Sequence, residues 1–179
     1  MELSRLGIKL LATDSAAIRE KEFVPIFHSW IQRQCVEGHQ LVDVHDYSHI
    51  HHGPGILLVA HEGNFSTDLA DGKLGLAYFR KLPAGATTEE ALEATLRAAA
   101  QGASLLQAEP ALAGRLRFRS DELLVISNDR LHAPNTAPAF EALKPALVNV
   151  FGGNAAFTHT SAGTKDRLTI RVTGLSLLS

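Results

Sequence analysis

Histidines and carboxylates are concentrated between residues 39 and 68, and this pattern first suggests metal binding. Neutral imidazoles and carboxylates bind zinc, iron, nickel and copper, and three convergent ligands are enough for a catalytic metal site. We expect a divalent-metal site here, since strand and loop histidines could converge on one ion. The predicted ligands are His45, His49 and His61, with Asp43 and His51 as alternatives for the third position. The spacing matches no established metal motif, so a solvated histidine loop is the alternative.

Acid–base catalysis is the second chemistry that this stretch suggests. The continuous apolar run Ile56–Ala60 predicts a strand that is buried on both faces, and His61 and Glu62 follow it directly. A histidine at such a strand end can act as a general acid or base, with Glu62 or Asp68 orienting its ring. In the alternative interpretation, His61 only satisfies backbone groups where the strand ends.

A third candidate site follows a later apolar strand and leads into a predicted helix. Asn128, Arg130 and His132 lie in this connection, where a helix N-terminus and an arginine could bind an anionic small molecule. A loop whose Asn and Asp side chains satisfy their own turns would have the same sequence.

Composition narrows the class of protein. The chain has 179 residues, 45% of them hydrophobic, and a formal net charge of −2, which suits one soluble domain over residues 1–179. The small net charge argues against nucleic-acid binding, and no apolar run approaches the roughly 18 residues of a membrane-spanning helix. The one cysteine, Cys35, excludes an internal disulfide. We therefore expect a cytoplasmic protein.

Periodicity and end signals locate the elements that would position these residues. Thr87 and Glu90 have the spacing of a capping box. Gly38 is expected to end the first helix and Pro145 to kink or split the last one. The predicted order is strand (8–12), helix (from 23), strands (40–46, 56–60), hairpin (65–69 and 74–79), helix (87–106), hairpin (116–118 and 123–126), helix (from 135) and strands (157–160, 168–172).

Hairpins outnumber crossovers in this order, which predicts an α+β fold. We expect a mixed, mostly antiparallel sheet with three helices packed on it. From residue 73 onward, the order strand-helix-strand-strand-helix-strand is ferredoxin-like in architecture. The predicted core residues are Phe27, Trp30, Ile56, Leu58, Leu96, Val125, Phe140 and Leu147.

Two functional hypotheses from different classes follow. The first is a small-molecule-binding protein or enzyme with a His/Glu/Asp site at strand ends, with or without a divalent metal. The second is a non-catalytic structural protein that self-associates as a homo-oligomer through a sheet edge.

Overall fold

The computed structural model describes residues 3, 5–14, 18–51, 53–69, 72–160, 163 and 165–177, which form eight strands and three α-helices. Single 3₁₀ turns precede the first helix and follow the second. The elements in chain order are β1 (Leu6–Ala12), α1 (Phe23–Arg33), β2 (Leu41–Tyr47), β3 (Gly55–Ala60), β4 (Gly63–Asp68), β5 (Gly75–Arg80), α2 (Thr88–Gln107), β6 (Phe118–Ser127), α3 (Ala137–Phe151), β7 (Ala156–His159) and β8 (Thr169–Thr173).

The eight strands form one sheet in the order β2-β3-β4-β5-β1-β6-β8-β7. Every pairing between these described strands is antiparallel. The helices make the long connections: α1 joins β1 to β2, α2 joins β5 to β6, and α3 joins β6 to β7. The predicted α+β class, with a mostly antiparallel sheet and three helices, is confirmed.

The three helices cover the same face of the sheet. Gly102 of α2 lies against the side chains of Phe65 and Leu76, and the Phe151 ring of α3 lies 6.5 Å from that of Phe157 in β7. Alternation along each strand places these sheet residues on one face. The hydrophobic core lies between this face and the helices, and it includes four buried α1 residues. We call this the covered face.

The C-terminal part departs from the ferredoxin-like order at one point. Residues 118–127 form the single long strand β6 rather than a hairpin turning at Ser120-Asp121. The backbone stays extended because β1 pairs with Leu123 and with Phe118 on either side of a register shift, and the N–H groups of Leu175 and Leu177 bind the carbonyls of Asp121 and Ser120. The order from β5 onward is therefore strand-helix-strand-helix-strand-strand.

Two smaller features of the structure also differ from what the sequence predicts. A register shift between Leu41 and Asp43 buries Leu41, leaves Val42 56% exposed and places Val44 opposite Leu58 on the covered face. Strict alternation along residues 40–46 predicts Val42 and Val44 on one face of β2; this prediction is wrong, because a bulge changes which residues share a face. Pro145 lies inside α3 without splitting it.

Most of the predicted core is confirmed. Phe27, Trp30, Ile56, Leu58, Val125 and Leu147 are at most 1% exposed. Leu96 and Phe140 pack against the core but are only partly buried. Within the described part of the chain, none of the helices combines the length and the hydropathy that crossing a bilayer requires.

Candidate functional site: the His39 cleft

A cleft with a volume of about 450 Å³ opens on the covered face, beside α2. This volume lies within the range of about 300–1,000 Å³ that is typical of small-molecule sites. The residues that line it include Glu37, His39, Arg80, Ala94, Arg97 and Gln101. They come from the α1–β2 connection, the end of β5 and one flank of α2. We call this the His39 cleft.

The α1–β2 connection is held in place by Gln34 rather than by the predicted stop at Gly38. Gln34 ends α1 in the left-handed conformation, with φ of 46°. Its side-chain amide donates to the carbonyls of Ile31 and Leu41 and accepts from the N–H of Leu41. One side chain thus links the end of α1 to the start of β2 and fixes the short turn that carries His39.

His39 is paired with a buried tyrosine. Its Nε2 lies 2.6 Å from the Tyr78 hydroxyl, and its Nδ1 lies 2.9 Å from the Glu37 carbonyl oxygen. A carbonyl oxygen only accepts, so Nδ1 carries the hydrogen, and Nε2 of the neutral ring accepts from Tyr78. Ring contacts with Phe65 and Tyr78, at centroid distances of 5.8 and 5.4 Å, add packing. The imidazole is therefore fixed in position and tautomer.

Tyr78 is buried on the covered face of the sheet. It is 0% exposed, and a Cβ at Gly63 would lie 2.4 Å from its hydroxyl oxygen, so glycine leaves room for the phenol. Burial raises the pKa of Tyr78 to about 12, which outweighs the opposing effect of the nearby Arg80 guanidinium. The phenol therefore stays protonated at neutral pH and serves as a hydrogen-bond donor to His39.

Glu62 supports the same turn from the β3–β4 connection. Its carboxylate accepts a hydrogen bond of 2.8 Å from the N–H of Gln40, the residue after His39. Desolvation acts to raise the pKa of Glu62, but the N–H groups of Gln40 and Glu62 and the nearby His39 and His61 outweigh it, so this pKa lies below its usual value. The carboxylate is thus ionised at neutral pH and anchors the backbone beside His39.

The three predicted catalytic residues do not come together. His61 is exposed in the β3–β4 turn, and its N–H binds the Gln40 carbonyl. Asp68 lies at the other end of β4, roughly 20 Å from Glu62 along the strand, and pairs with the buried Lys9 at 3.0 Å. Asp68 therefore cannot orient the His61 ring, whereas Glu62 is adjacent to it.

The predicted metal ligands are also spread out. His45 pairs with Asp43 at 3.5 Å and stacks on Tyr47. It lies opposite Leu57 in the β2–β3 pairing, and His61 follows Leu57 by four residues, so the two histidines are roughly 13 Å apart. His49 is exposed in the loop after β2. Among the described residues, no three His, Cys, Asp or Glu side chains are grouped to hold one ion. Metal binding by these histidines stays a prediction.

The residues predicted to bind an anion lie in the β6–α3 connection. Asp129 accepts from the N–H groups of Leu131 and His132, and its carboxylate lies 2.9 Å from His132 Nδ1. Asn128 and Arg130 are exposed beside this turn. The loop thus satisfies its own polar groups, as the alternative interpretation expected, and ligand binding there stays a prediction.

A second cavity, of about 320 Å³, lies on the other flank of α2. Its walls are mostly aliphatic and include Leu10, Leu96 and Val150. Its charged lining residues are Glu93, Arg97 and Arg119; Arg97 also lines the His39 cleft, and Arg119 is already paired with Asp121. The His39 cleft is the better candidate site because it combines a similar size with several polar side chains of fixed geometry.

His39 and Tyr78 are the site residues that sequence reasoning missed. His39 belongs to the histidine-rich stretch, but nothing in its spacing links it to a tyrosine 39 positions later. One signal was available: Tyr78 lies in a buried strand, and a buried hydroxyl needs a hydrogen-bond partner. A histidine following a glycine turn is a suitable partner.

Comparison of the chain with models of protein families and with curated protein sequences gave no match. The cleft brings together a fixed imidazole, the guanidinium groups of Arg80 and Arg97 and the amide of Gln101.

Proposed function

We propose that the protein binds a small molecule in the His39 cleft. The observation that carries this proposal is an imidazole held by two hydrogen bonds at the wall of a cleft of about 450 Å³. Binding sites use a few polar groups of fixed orientation within an otherwise apolar concavity. Arg80, Arg97 and Gln101 provide such groups. The His39 ring contributes a rigid wall because both of its nitrogens are already hydrogen-bonded, and Ala94 leaves space on α2.

Binding is a better proposal than catalysis at His61. The phenol of Tyr78, with its raised pKa, keeps its proton at neutral pH, so the His39–Tyr78 pair positions a ring rather than generating a base. His61 is exposed and is separated from Asp68 by the length of β4.

For the alternative of a self-associating structural protein, pairing through the β2 edge of the sheet has little support. The outer strand β2 carries a bulge and exposes Asp43, His45 and Asp46. Bulges and charged side chains on an outer strand oppose edge-to-edge pairing.

A blocking substitution tests the proposal. Ala94→Trp places a large ring in the cleft from a partly exposed helical position, and Ser104→Trp introduces the same ring at an exposed position of α2 outside the cleft. Each protein is screened by thermal shift and native mass spectrometry against small carboxylates, phosphates, amines and uncharged sugars. We expect a ligand that binds the wild type and Ser104→Trp but not Ala94→Trp. No binding to the wild type, or equal binding to all three proteins, would refute the proposal.

A further inference from the structure

Arg80 is oriented towards the cleft by the sheet and by one hydrogen bond. It pairs with Gly63 in the β4–β5 register, two positions from Tyr78, and so leaves the strand on the covered face. Its Nε donates to the Leu82 carbonyl at 3.0 Å. Among the described residues, no carboxylate forms an ion pair with Arg80, so its terminal nitrogens keep their donors for another partner.

Arg97 adds a second guanidinium from α2. Its side chain is exposed, and no ion pair joins it to another residue that the structure describes. Glu37 is the one carboxylate among the described lining residues, and the hydrogen-bond pattern of His39 suits a neutral ring. The residues that line the cleft therefore carry more positive than negative charge, and the nearby Glu62 carboxylate is already held by the N–H of Gln40.

We infer that the ligand of the His39 cleft carries an oxyanion, a phosphate or carboxylate group, that binds between Arg80 and Arg97. This inference rests on the proposed function and narrows it to one chemical class. A guanidinium fork whose Nε is already bonded presents its terminal N–H groups as a pair, which matches two oxygens of such a group. Gln101 adds an amide donor, and Nε2 of His39 remains committed to Tyr78.

Amide NMR titrations at low ionic strength test the inference with three probes: inorganic phosphate, citrate and uncharged glucose. The variants are Arg80→Gln, Arg80→Lys and Arg97→Gln. The control Arg117→Gln removes the same charge from an exposed side chain that does not line the cleft. We expect phosphate or citrate to shift the amides of residues 37–39 and 101. Arg80→Gln should weaken that binding by about ten- to one-hundredfold, because a charge-assisted pair is lost.

The other variants should weaken anion binding to different extents. Arg97→Gln should weaken anion binding by about three- to tenfold and Arg117→Gln by less than about twofold, since an exposed distant charge contributes little. Arg80→Lys keeps the charge but loses the fork, so its affinity should fall between those of the wild type and Arg80→Gln. Stronger binding of phosphate or of citrate identifies the oxyanion, and either result supports the inference.

Two results would overturn the inference. One is equal weakening by Arg80→Gln, Arg97→Gln and Arg117→Gln, which would show only a general charge effect. The other is a ligand without an anionic group, such as an amine or a sugar, that binds the wild type and whose binding Ala94→Trp prevents. That second result would leave the proposed function standing, whereas no binding of any probe or screened compound would refute both. Because Arg97 is exposed, its variant keeps the test decisive even where Arg80→Gln fails to fold.

Discussion

Tyr78→Phe tests the hydrogen bond on which the geometry of the cleft depends. The substitution removes only the hydroxyl that lies 2.6 Å from His39 Nε2, and it keeps the ring, whose centroid is 4.6 Å from that of Phe65. The lost hydrogen bond is worth about 0.5–1.5 kcal/mol, and partial burial of the unpaired Nε2 adds to this cost. We expect a loss of about 1–2 kcal/mol in the free energy of unfolding.

Urea unfolding measures this loss. With a slope of about 2 kcal/mol per molar urea, the midpoint should fall by about 0.5–1 M. Tyr47→Phe is the matched control, because the structure shows no hydrogen bond from the Tyr47 hydroxyl to another described residue. The control should stay within about 0.5 kcal/mol of the wild type.

The ring of His39 gives a second readout. In the wild type, ¹⁵N NMR of the imidazole should report the tautomer with hydrogen on Nδ1, since that atom faces the Glu37 carbonyl. In Tyr78→Phe the contact at Nδ1 stays but Nε2 loses its hydrogen bond, so the Nε2 chemical shift should change and the affinity of the cleft should fall. Equal stability of the two tyrosine variants, together with an unchanged His39 spectrum, would refute the reasoning.

Three further predictions concern stability. Leu58→Ala should cost about 2–5 kcal/mol in denaturant unfolding, because Leu58 is 0% exposed on the covered face; a loss below about 0.5 kcal/mol would contradict its place in the core. Glu62→Ala should cost at most about 1 kcal/mol at neutral pH, and the difference from wild type should shrink as the pH falls from about 4.5 through the lower pKa of the folded state, because a lowered pKa contributes stability that is complete only above the unfolded value. Tyr78 has a raised pKa of about 12, so its contribution to the free energy of unfolding is complete below about pH 10 and is lost as the pH rises through 12. Tyr78→Phe should lack this loss of stability at alkaline pH, which amounts to at most about 3 kcal/mol.

Elements with strong local signals could be predicted from the sequence. The capping box of Thr87 and Glu90 forms as expected and starts α2, with both reciprocal hydrogen bonds in place. Thr136 similarly caps α3, and Gly152 ends it. Such signals involve residues three or four positions apart, so a linear pattern contains the whole interaction.

Features that depend on distant partners could not be predicted in this way. Ser120-Asp121 has the composition of a turn, yet the N–H groups of Leu177 and Leu175 bind its carbonyls and help to keep it in an extended strand. Gln34 adopts a left-handed conformation that sequence reasoning assigns to glycine, because its amide group bonds to both Ile31 and Leu41. In both cases a tertiary contact outweighs the local preference.

The cleft itself follows from the order of the strands. α1 packs on β2 and β3, whereas α2 packs on β5 and β1, so β4 lies between the two helices. With strands about 4.8 Å apart, the helix axes are separated by roughly 14 Å, compared with 8–10 Å for helices in close contact. A gap therefore opens between the two helices above β4, and the turn that carries His39 covers only part of that gap. The polar residues of the cleft line an opening that the topology creates, and no single stretch of the sequence encodes it.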